Sequence, residues 1–409
     1  MSAAGVPSRR AGRHVRAGVF GAAVASAVGV TVLAAGCGSA ARPGAAAAAT
    51  PARPATSLPL ATSLSGSRAA WAVVPMGAAA GPNLFWELFR QPAGSTQWKL
   101  ATPPDIATNG AISLSSPDGQ AVVTGIHPSL RLNFSPVSST PDGGRTWTAG
   151  APDPGLASVP DALAAAPSHS PGGGQLIALD RTGTVELARS GHAAWTALVR
   201  TRTLAATGPG RACRLTALTA VAFAGSGTPA VAGSCGQPGV AGIFTRTGGS
   251  WRAAGPSLTG SLSQQKIQVL RLVQADGRLT ALLQAGTGPA ASLRAAWLTG
   301  SGWTTSPALA VTGAAVQSSS FGRDGAVGVA LSSGRAALLA APGQPWQTLP
   351  KLPAGRSVTL ALPGAGVVDA LVPSGSLLAV WQLKTGGSGA GAWVKTQQVK
   401  VPIGYGSSS

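Results

Sequence analysis

The fold follows from one stretch, Thr140-Pro141-Asp142-Gly143-Gly144-Arg145-Thr146-Trp147. The short side chains of Thr140 and Asp142 accept hydrogen bonds from backbone N–H groups within the same turn. Gly143 and Gly144 can take the left-handed dihedral angles of a tight turn between strands. Trp147 then begins a new strand and can bury a large ring between neighbouring sheets. The stretch therefore predicts a turn that is locked by its own side chains and ends in an aromatic anchor.

Tryptophan recurs after turns that contain Gly or Ser along the whole chain. The recurring positions are Trp98, Trp147, Trp195, Trp251, Trp303, Trp346 and Trp393. Consecutive members lie 43 to 56 residues apart, which is about the length of one four-stranded propeller blade. We interpret these rings as core packing, because a repeated tryptophan more often fills a core than stacks on a sugar.

The clearest repeat precedes Trp303. Apolar runs at 267–273, 279–283 and 293–298 each have the length of a strand, and Asp276-Gly277 is a hairpin signal between the first two. With the strand that begins at Trp303, this segment predicts four strands and three turns.

Similar runs fill the other repeats. They lie at 58–64, 69–74, 84–89, 111–114, 121–124, 130–137, 217–223, 229–233, 326–331, 336–341, 358–362, 367–371 and 377–383. Closing such sheets into a ring protects the edges that separate sheets would expose. We therefore predict an all-β fold, a β-propeller of seven four-stranded blades over residues 57–403, with six or eight blades as the alternatives and a flexible tail at 404–409.

The opening stretch also carries a family resemblance. Thr140, Asp142, Gly144, Thr146 and Trp147 fit the S/T-x-D-x-G-x-T-W pattern and resemble the Asp-box, or BNR, repeat of sialidase-like β-propellers. The segment 70–73 resembles the second strand of the related photosystem-assembly-factor type of BNR propeller. The resemblance implies that the box lies on the outer rim of a blade and that Asp142 is a structural residue.

Residues 1–36 have the organisation of a secretory signal, in which four arginines precede an uncharged stretch at 17–36. Leu33-Ala34-Ala35-Gly36-Cys37 resembles the lipobox of bacterial lipoproteins, although its Leu is four places before the Cys rather than three. We predict that Cys37 carries the lipid and becomes the mature N-terminus. The alternative is a membrane-spanning helix of about 20 residues, and the export route stays open.

The segment 37–56 is almost entirely Ala, Pro, Ser, Gly, Arg and Thr. It lacks apolar side chains large enough to offset the entropy of ordering, so we predict a disordered tether. In the polyproline form it would reach about 60 Å. Together with Cys37, this tether predicts a domain outside the cytoplasm, anchored to the outer face of the cell membrane.

Without the signal, the chain has 26 basic and 11 acidic residues, a net charge of +15. Basic proteins attract polyanions, but no arginine cluster is interleaved with aromatic residues, so we do not expect nucleic acid as a partner. With Cys37 lipidated, Cys213 and Cys235 remain as an even pair, which suggests a disulfide in an exported protein. They lie symmetrically about residue 224, which is at the turn between the predicted strands 217–223 and 229–233.

No catalytic constellation is evident in the sequence. A sialidase needs a tyrosine nucleophile beside a glutamate, and the only tyrosine is Tyr405, in the tail. Most aspartates adjoin glycine or proline in turns, and Asp105, Asp161, Asp180 and Asp369 remain as weak candidates for paired-carboxylate chemistry. His127, His169 and His192 are isolated in loops, so we expect no metal and no cofactor.

These features favour a cell-envelope lipoprotein whose propeller is a non-catalytic binding or scaffold module, a monomer that binds an envelope protein or glycan. The alternative is a divergent glycoside hydrolase of the sialidase-like class. An assembly factor for a membrane complex is a third possibility, and it depends on fold resemblance alone.

The anchor is testable by the intact mass of protein extracted from membranes. We expect a chain that begins at Cys37 and carries added acyl mass, with a two-hydrogen increase on reduction of the disulfide. A chain that keeps residues 1–36 would show a helical anchor instead, and an unacylated chain cut elsewhere would show free secretion.

Overall fold

The computed structural model describes thirteen segments of the chain. They are residues 62–77, 85–104, 106, 111–117, 121–125, 137–150, 161–167, 174–225, 227–275, 277–300, 302–353, 357–385 and 391–402. The predicted signal, the tether with Cys37 and the tail at 404–409 lie outside these segments. The described part consists mainly of β-strands, so the all-β prediction is confirmed. None of its helices has the length and apolar character that crossing a membrane requires.

Consecutive strands pair antiparallel into four-stranded units, which we number in chain order. Unit 1 contains β1 (Thr62–Ser65), β2 (Ala69–Met76), β3 (Phe85–Pro92) and β4 (Lys99–Leu100). Unit 2 contains β5 (Ile112–Ser115), β6 (Ala121–Gly125), β7 (Val137–Thr140) and β8 (Thr148–Ala149). Unit 3 contains β9 (Ala162–Ala165), β10 (Leu176–Leu179), β11 (Thr184–Ala188) and β12 (Thr196–Arg200).

The second half of the chain repeats this plan. Unit 4 contains β13 (Leu215–Ala224), β14 (Thr228–Cys235), β15 (Gly242–Thr247) and β16 (Ser250–Ala253). Unit 5 contains β17 (Ile267–Ala275), β18 (Arg278–Ala285), β19 (Ser292–Thr299) and β20 (Gly302–Thr305), and the short β21 (Leu309–Ala310) also pairs with β19. Unit 6 contains β22 (Val316–Phe321), β23 (Val327–Leu331), β24 (Ala336–Leu339) and β25 (Gln347–Thr348). Unit 7 contains β26 (Thr359–Gly364), β27 (Val367–Ser374), β28 (Leu377–Lys384) and β29 (Val394–Lys400).

Each sheet buries both of its faces, one against the preceding unit and one against the next. In β18, Ala281 and Leu283 pack in a cluster with residues of unit 4, whereas Leu282 packs in a cluster with Val327 of unit 6. Side chains alternate between the two faces of a strand, so a continuous apolar run is what a strand buried on both faces requires. This explains why the runs around Trp303 could be recognised from the sequence.

The first and the last units pack against each other. Ala72 and Val74 of β2 share a buried cluster with Ala361 of β26 and Val380 of β28. The exposed face that the first unit would otherwise present is therefore covered by the last one.

The first strands of different units contact one another, and strand pairs join separate units into larger sheets at two places. β1 pairs parallel with β22, with Thr62 opposite Ser319 and Leu64 opposite Phe321. β14, the second strand of unit 4, meets β17 of unit 5 in an antiparallel bridge at Ser234 and Gln268. These bridges merge units into sheets of eight and nine strands, which the sequence did not predict, and no sheet closes on itself among the described residues.

A helical insert separates units 3 and 4. Its helices are α1 (Thr201–Ala205) and α2 (Gly208–Cys213), and short 3-10 helices occur at Gly260–Gln264, Gly288–Ala290 and Arg323–Gly325. The Thr207 hydroxyl caps α2 by accepting from the Gly210 N–H, and Leu204 is buried. The structure joins Cys213 to Cys235 of β14 in a disulfide with a Cα–Cα distance of 5.1 Å, so the insert is tied to unit 4.

The side chain of Gln397 in β29 forms a latch, that is, a pair of hydrogen bonds that joins the last unit to the first. Its Oε1 accepts from the Trp98 N–H at 2.8 Å and its Nε2 donates to the Trp98 carbonyl at 2.7 Å, so it replaces a strand partner. We expect Gln397→Ala to lower the free energy of unfolding by about 1–3 kcal/mol, because two backbone groups lose their partners. Chemical denaturation measures this change.

Gln398 supplies the matched control, because it is exposed and its Oε1 accepts only from the Lys395 ammonium. Gln398→Ala should stay within about 0.5 kcal/mol of the unaltered chain. Equal effects of the two substitutions would contradict a latch at Gln397.

Candidate functional site

The turn quoted from the sequence is held by its own side chains. Asp142 Oδ1 accepts from the N–H groups of Arg145 at 3.0 Å and Thr146 at 2.9 Å, and Oδ2 accepts from the Thr146 hydroxyl at 2.7 Å. The Thr140 hydroxyl donates to Asp142 and accepts from the Gly144 N–H at 2.6 Å. Both carboxylate oxygens are thus engaged inside the turn.

These hydrogen bonds also determine the charge of the carboxyl group. Burial acts to raise the pKa of Asp142, but the bonds from Thr146, Thr140 and Arg145 outweigh it and hold the pKa well below its usual range. The carboxylate is charged at neutral pH and is directed at backbone groups. Its contacts are those of a structural residue.

The turn packs on unit 1 through its glycines and Trp147. The rings of Trp147 and Trp71 meet edge to face at 6.2 Å, and the Arg90 guanidinium lies 5.7 Å from the centre of the Trp71 ring. A Cβ at Gly143 would clash with the Arg90 guanidinium, and Gly143 has a φ of +73°. A side chain at this position would therefore strain the backbone of the turn and displace the Arg90 guanidinium.

Several of the recurring tryptophans bond to the unit that precedes them. The pairs are Trp303 Nε1 to the Ala254 carbonyl at 2.6 Å, Trp346 Nε1 to the Pro307 carbonyl at 3.0 Å, and Trp393 Nε1 to the Pro350 carbonyl at 3.2 Å. Each acceptor lies three or four residues after the tryptophan of the preceding repeat. The indoles therefore join one unit to the next, and their N–H groups are not directed at a ligand.

The structure places two of the candidate aspartates at the same edge of unit 3. Asp161 and Asp180 lie opposite each other at the edge of β9 and β10, next to the pair Ala162 and Leu179. Asp180 accepts from the N–H and hydroxyl of Thr182 and from the Thr184 N–H, so it serves its own turn. The Asp161 charge acts on Arg271, a buried residue of β17 whose pKa falls to about 10 because burial disfavours its charge more than Asp161 restores it.

Asp369 lies apart from these two, in β27, with its side chain fully buried. It accepts from Trp98 Nε1 at 2.8 Å and from Gln382 Nε2 at 3.2 Å. Burial raises the pKa of Asp369, and the two hydrogen bonds act in the opposite direction. Its partners are indole and amide groups at the contact of units 1 and 7, and Asp105 lies outside the described residues.

The described side chains form no metal-binding group of three or more His, Cys, Asp or Glu residues. His192 lies exposed in a turn of unit 3. His127, His169 and Tyr405 belong to segments outside the described residues.

The two edges of the sheets differ in how they are built. At one edge, the chain passes from the fourth strand of each unit to the first strand of the next. The turns between the second and third strands lie at the same edge, which we name the connection face. The turns between first and second and between third and fourth strands lie at the other edge, the opposite face. The helical insert belongs to the connection face.

Positive charge is concentrated in the second half of the chain. Residues 187–409 contain 18 of the basic residues and only three carboxylates, whereas residues 37–186 contain eight of each. Of the three carboxylates, Asp369 is buried, Asp324 lies in a turn of the opposite face, and Asp276 is outside the described residues. After Glu186, the exposed cations of the connection face include Arg200, Arg202, Arg211, Arg214, Lys266, Arg335, Lys351 and Lys400.

A cleft of about 790 Å³ opens on this face beside units 6 and 7. Its walls are the β23–β24 turn at 332–335, the end of β25 at 348–349 and the connection at 351–353. Arg335 and Lys351 are its charged residues. A concave site of this size can bury a small ligand or a short segment of a partner.

Neither the connection face nor the cleft was predicted as a site. The sequence signal that could have pointed to this face is the scarcity of carboxylates after Glu186. Residues 187–409 contain 18 basic residues and only three acidic ones. The sequence does not show that the connections and the second turns meet at one edge, because that follows from strand pairing.

Comparison with known proteins finds likeness in shape alone. No family model and no curated protein matches the chain. Solved structures that match include YCF48 bound to a D1 peptide, with 16% identity over 82% of this chain and 96% of the other and a TM-score of 0.45. A 6-phosphogluconolactonase-like protein of Bacteroides uniformis has 13% identity, the same coverages and a TM-score of 0.48.

A lectin of Aleuria aurantia in complex with alpha-methyl-L-fucoside also matches, with 15% identity over 84% of this chain and 96% of the lectin and a TM-score of 0.37. Identities this low and TM-scores below 0.5 assign neither a ligand nor a reaction to this chain.

The role of Asp142 is tested by Asp142→Ala. We expect a loss of about 1–3 kcal/mol in the free energy of unfolding at pH 7, because turn N–H groups lose their acceptor. A carboxylate whose pKa is lower in the folded chain stabilises it fully above about pH 4, and this stabilisation is lost as the pH falls toward the folded value. The difference from the unaltered chain should therefore shrink between pH 7 and pH 2.

Arg145→Ala is the control, since this exposed side chain lies in the same turn and only its backbone N–H bonds to Asp142. It should change stability by no more than about 0.5 kcal/mol. A loss for Asp142→Ala that is equally large at pH 2 would contradict the assigned role of the carboxylate.

Proposed function

We propose that this chain is an exported lipoprotein, anchored through Cys37, whose units form a seven-bladed β-propeller of the Asp-box type. Seven four-stranded units and the packing of the last unit on the first support the blade count. The hydrogen bonds of Asp142 and Thr140 support the Asp-box. The lipobox-like residues before Cys37 support the anchor.

Its function, we infer, is non-catalytic binding of an acidic partner in the cell envelope. One observation carries this proposal, namely that the connection face carries exposed cations from Arg200 to Lys400 and, after Glu186, no exposed carboxylate among the described residues. Positive fields attract negatively charged surfaces and accelerate association. The tether, about 60 Å when extended, would let the domain meet partners at a distance from the membrane.

A glycoside hydrolase remains the alternative function, because Asp161 and Asp180 lie next to each other at the connection face. Against it, Asp180 is engaged by Thr182 and Thr184, and an acid and a base must both face the bond that is broken. Turnover of a glycoside that falls on Asp161→Asn or Asp180→Asn would favour the hydrolase over the binding protein.

The binding face is tested with two triple variants that remove equal charge. One replaces Arg200, Arg202 and Lys266 of the connection face with Gln, and the other replaces Arg189, Arg278 and Arg323 of the opposite face; all six side chains are exposed. The mature chain, fixed on beads, is loaded with a detergent extract of the producing cell's envelope. Bound material is then eluted with rising salt.

We expect the connection-face variant to retain roughly tenfold less material. Each exposed charge contact contributes about 0.5 kcal/mol, so three contacts contribute about 1.5 kcal/mol, a factor of about ten. The opposite-face variant should behave as the unaltered chain. Equal losses for the two variants would indicate attraction by net charge alone and would overturn the proposed face.

A further inference from the structure

The cleft beside units 6 and 7 offers a ligand mainly hydrogen-bond donors. Arg335 and Lys351 supply the charged groups, and Ser333 and Thr348 add exposed hydroxyls. Among the described residues, no carboxylate lines the cleft. Guanidinium and ammonium groups bind oxyanions through charge-assisted hydrogen bonds, which are stronger than bonds between neutral groups.

The protein offers few hydrogen-bond acceptors to the two cations of the cleft. Arg335 Nη1 donates to the Thr312 hydroxyl at 3.4 Å, a long contact, and a guanidinium has five N–H donors. Within the described residues, no carboxylate pairs with Arg335 or Lys351. An anion that enters the cleft therefore need not displace an existing ion pair.

The turn that carries Arg335 is held in place by backbone contacts. The Ser332 hydroxyl accepts from the Ala315 N–H at 2.9 Å, and the Leu331 N–H donates to the Arg335 carbonyl at 2.9 Å. Gly334 completes the turn with a φ of +77°. The backbone of Arg335 is thus positioned before any ligand arrives, which lowers the entropy cost of binding.

The floor of the cleft is apolar and rigid. Leu349, Leu352 and Val358 line it and belong to a buried core cluster of units 6 and 7. The described lining residues include no aromatic ring on which a neutral sugar could stack. The donors near an apolar floor fit a ligand that has an anionic end and an apolar body.

We propose that this cleft binds an oxyanion, carboxylate or phosphate, that is attached to an apolar group. This inference rests on the proposed function insofar as it names the group that the connection face recognises. The same chemistry occurs in a free organic anion and at the carboxyl end of a partner's chain. Arg335 and Lys351 bind the oxyanion, and the leucine side chains contact the apolar body.

Calorimetric titration of the mature chain with two probes tests the proposal. One probe is hexyl phosphate, compared with 1-hexanol and inorganic phosphate. The other is a peptide, acetyl-Ala-Ala-Leu-Leu, with a free carboxylate, compared with its C-terminal amide. Arg335→Gln and Lys351→Gln should each weaken a bound anionic probe at least about tenfold, the loss of one charge-assisted bond.

Arg323→Gln, which removes an exposed charge on the opposite face, should leave binding of the probes unchanged, and thermal unfolding checks that every variant is folded. Binding of hexyl phosphate alone supports a free organic anion as ligand, and binding of the free-acid peptide alone supports a chain end. Failure of both probes, or binding that Arg335→Gln and Lys351→Gln leave unaltered, overturns the proposal. If the probes bind but the connection-face triple variant still captures envelope material normally, the proposed function fails and the anion site stands.

Discussion

Trp98 makes the contact on which the arrangement of the units depends. Its backbone pairs with the Gln397 side chain, its indole N–H donates to the buried Asp369, and its ring packs in the cluster shared by units 1 and 7. Each four-stranded sheet has two apolar faces, and an unclosed row would leave one face of each terminal unit in water. Because the last unit packs on the first, the connections and turns of the units lie on a common surface. Loops from separate units can then contact the same partner.

Other neighbouring units are also joined through tryptophan side chains. The indole N–H groups of Trp303 and Trp346 donate to backbone carbonyls of the preceding unit, and Trp147, which follows the Asp142 turn, packs against Trp71 of unit 1. Such a chain of neighbour contacts resembles the energetics of repeat proteins, in which stability is the sum of units and interfaces. The aspartates and tryptophans that look suited to chemistry in the sequence are mostly used for this purpose.

The strands of unit 5 were predicted within two residues because they are apolar on both faces. β22 was missed because its centre is Gln317-Ser318-Ser319-Ser320, polar residues that are nevertheless mostly buried. The parallel pairing of β1 with β22 joins residues more than 250 positions apart, which no local pattern records. The helices of the insert are five and six residues long, too short to show a helical period.

The candidate site was less predictable than the fold. Asp369 could not be told from a catalytic acid in the sequence, because its role depends on burial beside Trp98. The cations of the connection face come from separate units, and only strand pairing shows that they share an edge. By contrast, the structural role of Asp142 followed from the sequence, since all its partners lie within four residues.

The central claim is that partners meet the connection face, and site-specific photocrosslinking in producing cells tests it most directly. A photoreactive residue would replace Ser333 on the connection face or Ser67 on the opposite face; both are exposed. The account predicts a discrete crosslinked product from position 333 and none from position 67. A product from position 67 alone would place the binding surface on the opposite face and contradict the account.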